Sequence, residues 1–173
     1  MAKSIDRSQL RQSTALVFLL IVVHMPLIVN NGLFADDWLL FDVGSSKAKL
    51  DFLLNLAGHP ILFAYCWLAN VSGDPINFVK IMALVGIGVG ALSLKSFLIR
   101  LRLFSEFEAF VFSFLVWSYA GFHSWATKNT ETYVFDFGLL CFGLNALSIL
   151  IQSKNTRLEL RLICYIAFFS ASH

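Results

Sequence analysis

Residues 34–38 read Phe-Ala-Asp-Asp-Trp, which puts two adjacent carboxylates at the end of the first long apolar segment. Ionised side chains are costly to place at a bilayer, and those found there pair, bind or react. An Asp-Asp pair just outside the hydrocarbon can supply oxygen ligands to a divalent cation such as Mg or Mn, or act as a base. Asp36 and Asp37 are therefore candidates for catalysis and for metal ligation. The competing reading is a polar helix end that meets water. Trp38 beside them is either an interfacial anchor or a surface on which a sugar stacks. His59 and His123 offer imidazoles to a phosphate or a metal. No His/Cys/Asp spacing marks a dedicated site, so an interfacial role competes for both.

The elements that must position these residues are membrane helices. The chain of 173 residues is 58% hydrophobic and 14% charged, with a mean hydropathy of +0.74. A soluble domain is typically about 45–50% apolar and about 25% charged. A net charge of +2 with no basic run among aromatics gives no footprint for nucleic acid. Cys66, Cys141 and Cys164 each lie in apolar sequence, which predicts buried thiols rather than a disulfide framework or a zinc site.

Four stretches are near the roughly 20 residues that cross a bilayer: 14–33, 77–99, 109–127 and 133–152, with a fifth starting at Leu162. The expected fold is all-α, a single polytopic bundle over residues 1–173. Residues 52–70 are apolar enough to span as well, but charge argues against it. If they do not cross, Lys3, Arg7, Arg11, Lys95, Arg100, Arg102, Lys154, Arg157 and Arg161, nine of the 13 basic residues, share the inner side. If they cross, that bias collapses. The segment is thus expected to lie along the outer face, broken at Gly58-His59-Pro60. The N-terminus is then cytoplasmic, and the outer loops carry Asp36, Asp37, Asp42, Asp51, Asp74 and Glu131. The twelve residues from 162 to 173 rise about 1.5 Å each, short of roughly 30 Å of hydrocarbon, so the expectation is a fragment of a longer protein.

FADDWLLF at 34–41 and AGHPILFAYCWL at 57–68 together resemble the GT-C superfamily of integral membrane glycosyltransferases. Those enzymes have an inside N-terminus, one span, an acidic pair at its outer end and a long first outer loop. The second stretch resembles the family's Gly-Arg-Pro-Leu or His-Pro-Pro-Leu motif. SFLIRLRLF at 96–104 and the run 105–135 resemble the spans and second outer loop that follow. The resemblance implies the N-terminal part of an enzyme that moves a sugar from a polyprenyl-phosphate donor to an acceptor at the outer face, with membrane lipid around it and a bacterial inner membrane as its place. It also implies that Asp36 or Asp37 acts at the acceptor, and that Glu131 is a second acidic residue facing the pair. His59 stands where many members carry Arg, so the fixed charge that would hold phosphate is missing. The alternative is a small non-enzymatic membrane protein, such as a partner of a lipid-linked sugar flippase or a transporter subunit.

Other residues have plainer readings. Asp136, about one turn into the fourth span, is either a functional carboxylate or one that reaches the interface. His24 should turn towards neighbouring helices, with Pro26 kinking the first span. Gly86-Ile87-Gly88-Val89-Gly90 lies mid-span with no strand before it, so Gly86 and Gly90 predict a small-residue packing face rather than a nucleotide loop. Glu106 and Glu108 are expected as acids at a helix N-terminus.

Overall fold

A computed structural model describes residues 7–29, 68, 71–119 and 131–152 of the chain. Every regular element among them is helical: α1 (Arg7–Val23), α2 (Met25–Val29), α3 (Pro75–Arg100), α4 (Glu106–Trp117) and α5 (Glu131–Gln152). Two stretches, Lys80–Arg100 in α3 and Val134–Gln152 in α5, are long and apolar enough to cross a membrane. α1 begins well before the apolar stretch expected from residue 14. It ends at Val23, three residues before Pro26, whose ring disfavours a helical carbonyl four residues back. α4 begins three residues before the expected third span of 109–127 and ends at Trp117 with Ser118 as its cap, so its 12 residues are too short for the spanning helix expected there. Residues 120–130, the segment 52–70 except Leu68, and the start of a fifth span lie outside the described residues.

Local chemistry sets the helix boundaries. Asp74 caps α3: its Oδ1 accepts the Asn77 N–H at 3.2 Å and its Oδ2 accepts Asn77 Nδ2–H at 2.6 Å. Pro75 occupies the first turn, where its missing N–H costs nothing. At the other end the N–H groups of Arg102 and Leu103 donate to the carbonyls of Ile99 and Leu98 at 3.0 and 3.1 Å, a Schellman closure. The closure holds Arg102 at φ 56°. That left-handed backbone costs a non-glycine residue roughly 1–2 kcal/mol. Four residues later α4 opens with a capping box. Ser105 N–H donates to Glu108 Oε2 at 2.8 Å, and Glu108 N–H donates to Ser105 Oγ at 3.4 Å. The same contacts hold the Glu108 carboxyl below the usual glutamate range, with the Ser105 backbone N–H the larger cause.

Four long-range contacts fix how the helices run. Gln152 Nε2–H donates to the Arg100 carbonyl at 2.7 Å, which joins the C-terminal ends of α3 and α5. Nearer their starts, Gly86 lies against Val134 and Phe135, so these two helices are parallel. Gln9 Nε2–H donates to Glu106 Oε1 at 2.7 Å, and the His24 Nε2–H donates to the Trp117 carbonyl at 2.7 Å. α1 and α4 therefore run parallel to each other. Gln9 and Ser13 share a cavity with residues 95–100, so α1 opposes α3. α1 thus finishes, and α3 and α5 begin, at one end of the group; this is called the Asp74 end below, and its opposite the Arg100 end.

α3 is the hub, packing on α1, α4 and α5. The glycine face is where α3 makes its closest approaches. A Cβ at Gly86 would sit 2.9 Å from Phe135 Cα, and one at Gly138 would sit 2.5 Å from the Gly86 carbonyl oxygen. A Cβ at Gly90 would overlap the Trp117 indole, whereas one at Gly88 meets nothing within 4 Å. Trp117 is fully buried and packs on Phe137 with ring centroids 5.0 Å apart. Around it the core gathers Leu16, Leu20, Ile87, Ala91, Val134 and Cys141. The outward faces stay apolar: Phe18, Phe107, Leu115 and Ile151 are all more than 60% exposed. Lipid rather than water suits such faces.

Candidate functional site

Two regions carry the polar chemistry, one at each end of the helix group. The residues singled out by sequence fall mostly outside the described residues: Asp36, Asp37, Trp38, His59 and His123 all do. Glu131 is the first residue of α5 and so starts at the Asp74 end, but its side chain lies outside the description. Asp136 is described. It is half-buried, and its Oδ1 is enclosed without a hydrogen-bond partner. Among the described residues no group of three or more His, Cys, Asp or Glu could hold a metal ion.

His24 joins this end to the core. The ring is fully buried, and the turn before Pro26 carries it to the Trp117 carbonyl near the end of α4. Its own N–H continues the α1 ladder to the Leu20 carbonyl at 2.9 Å. The hydrogen bond gives one of α4's last carbonyls a donor that the helix itself cannot provide. It thereby ties the end of α1 to the end of α4. Through this hydrogen bond His24 positions the two helix ends against each other.

At the Arg100 end, α1 and α3 enclose a cavity of about 310 Å³ lined by Gln9, Ser13, Lys95, Ser96, Ile99 and Arg100. Lys95 is only 4% exposed, and among the described residues it has no hydrogen bond or ion pair. Arg100 Nε is enclosed and likewise lacks an acceptor. Glu106 is the acid whose field reaches Lys95, but its carboxylate is engaged by Gln9. Ser96 Oγ–H donates back to the Leu92 carbonyl at 2.7 Å, which leaves that hydroxyl oxygen able to accept.

Sequence reasoning treated Lys95 and Arg100 only as charges that mark the inner side. A signal for the cavity was present nonetheless. Lys95 and Ile99, Ser96 and Arg100, and Gln9 and Ser13 are each four residues apart, a spacing that aligns side chains on one helix face. What the spacing could not supply was that these two faces meet. No known family profile matches the chain, and no curated protein or solved structure does either.

Proposed function

We propose that this chain is the membrane-embedded N-terminal part of a glycosyltransferase. It would move a sugar from a polyprenyl-phosphate donor to an acceptor at the outer face of a bacterial inner membrane, with its own N-terminus cytoplasmic. The observation that carries the reading is the placement of Asp36-Asp37 directly after the first apolar segment, followed by AGHPILFAYCWL at 57–68. Inverting transfer needs a base at the acceptor hydroxyl and stabilisation of charge on the departing phosphate. In this reading Asp36 or Asp37 takes the acceptor proton, alone or as ligand to a Mg or Mn ion, and Glu131 faces the pair. Trp38, His59 and His123 then contribute to substrate contact.

Helix polarity supports the arrangement. α1 finishes at the Asp74 end, where α3 and α5 also begin. The reading requires the acidic pair, which follows α1 in the chain, to lie at the end where α5 begins. The basic residues Arg7, Arg11, Arg100 and Arg102 belong to the opposite end, as the positive-inside bias requires of a cytoplasmic face.

The test is sugar transfer by the natural protein carrying Asp36→Asn or Asp37→Asn. Each change keeps size and hydrogen bonding while removing charge. One of the two should lower turnover by about 10²-fold or more, the scale of a lost general base, with expression little changed. Near-normal turnover in both variants and in the double variant would reduce the pair to a polar helix end. A small non-enzymatic membrane protein would then be the better reading.

A further inference from the structure

We propose that the cavity between α1 and α3 at the Arg100 end is an anion site that takes a phosphate group, as a lipid headgroup or as a free phosphate compound. Four observations converge on it. The first is Lys95, 4% exposed and without a hydrogen bond or ion pair among the described residues. Lys95 lines a partly open cavity, and an ammonium held there in place of bulk water is stabilised by an anion that enters. The second is the enclosed Arg100 Nε, an N–H donor with no acceptor. A guanidinium offers donors in a fixed fork that matches phosphate oxygens.

The third is the remainder of the wall. Ser13 and Gln9 are neutral polar groups that can donate hydrogen bonds without opposing the charge, and Ser96, whose O–H donates to the Leu92 carbonyl, adds none. Among the described residues the acid nearest Lys95 in its effect, Glu106, is held by Gln9 at 2.7 Å and makes no ion pair with Lys95. The fourth is size and place. About 310 Å³ stands at the lower end of the roughly 300–1,000 Å³ typical of small-ligand sites, room for a phosphate headgroup. Arg7, Arg11 and Arg102 belong to the same end but are exposed and outside the lining. Basic pockets between helices on the cytoplasmic side are suited to anionic headgroups.

This site lies at the Arg100 end, and none of its lining residues is one assigned to sugar transfer. It is a place where phosphate chemistry at the inner face can hold α1 against α3.

The experiment is a thermal-shift titration of the intact protein, first in neutral detergent with inorganic phosphate against chloride at matched ionic strength. A second arm uses nanodiscs of phosphatidylglycerol against phosphatidylcholine. Stabilisation by inorganic phosphate identifies a free phosphate compound, and stabilisation by phosphatidylglycerol alone identifies a lipid headgroup. Lys95→Gln and Arg100→Gln should each weaken the apparent affinity roughly tenfold or more, the scale of a lost charge-assisted hydrogen bond. Ser13→Leu keeps both cations but fills the cavity, and it should abolish the response even if Lys95→Gln does not fold. Arg11→Gln, exposed and outside the lining, should leave the response intact. No stabilisation of the unaltered protein in either arm overturns the proposal. So does an Arg11→Gln loss as large as that of the cavity variants, because the attraction would then belong to the surface as a whole.

Discussion

Replacing single glycines by alanine in α3 and α5 gives the sharpest test of the helix packing, because the structure supplies its own control. Gly88 is in mid-α3 with nothing within 4 Å of a Cβ placed there. Gly88→Ala should therefore show only the backbone gain of about 0.8–1.0 kcal/mol that Ala has over Gly in a helix. Gly138→Ala gains the same term, but its methyl would sit 2.5 Å from the Gly86 carbonyl oxygen. That is about 1 Å inside an ordinary contact. The obstacle is backbone, which cannot rotate away as a side chain can, so α3 and α5 must part. A gap of 0.5–1 Å forfeits about a quarter to a half of each dispersion contact along the seam. Overpacking of this kind costs about 1–3 kcal/mol. Because the propensity term cancels between the variants, the whole 1–3 kcal/mol should appear as the difference between them. By the scaling for chains of 150–250 residues, Gly138→Ala should melt roughly 2–12 °C below Gly88→Ala. The assay is thermal unfolding of the two purified proteins in one detergent, followed by circular dichroism or intrinsic Trp fluorescence. Equal melting temperatures would refute the close approach of α3 and α5 at this point.

Further outcomes follow from the other contacts. His24→Ala removes the donor from the buried Trp117 carbonyl, and it should cost about 1–3 kcal/mol in the same unfolding assay. Glu108 should titrate below an ordinary glutamate when followed by NMR, and Ser105→Ala should move it back upwards. Since its folded-state value is depressed, its stabilisation of the α4 start is full above the ordinary glutamate pKa and is lost as pH falls through the lower folded value. Ser72, exposed just before the α3 cap, should label from outside the cell when replaced by Cys in a background lacking the native cysteines. Labelling only after permeabilisation would reverse the proposed orientation.

Much of the local structure was legible in the sequence. The Asp74-Pro75 and Ser105-to-Glu108 signals start α3 and α4 because a cap involves groups three residues apart. Pro26 breaks the first helix for an equally local reason, the loss of an N–H and a clash one turn back. Composition announced helices suited to lipid, and the glycine spacing announced a close-packing face. It did not announce which glycine meets which helix. Gly86 faces α5 while Gly90 makes room for Trp117, and Gly88 between them faces open space. The break at His24 was expected, but its partner, 93 residues away, was not.

The reason lies in the solvent. In water an amphipathic stripe reveals which face of a helix turns inward, but a helix that is apolar all round gives no such direction. The sequence by itself determined helix class and the apolar stretches of α3 and α5, which depend on composition, while the first helix starts seven residues before the expected 14 and the helix at the third expected span stops at Trp117. Only the tertiary structure decided that α3 runs parallel to α5 and against α1. That decision sets Lys95 and Arg100 against Gln9 and Ser13, turning two flanking charges into the wall of a cavity. The outcome depends on the fit of whole helix faces, because residues more than eighty positions apart meet only when backbones can approach as closely as they do at Gly86 and Gly138.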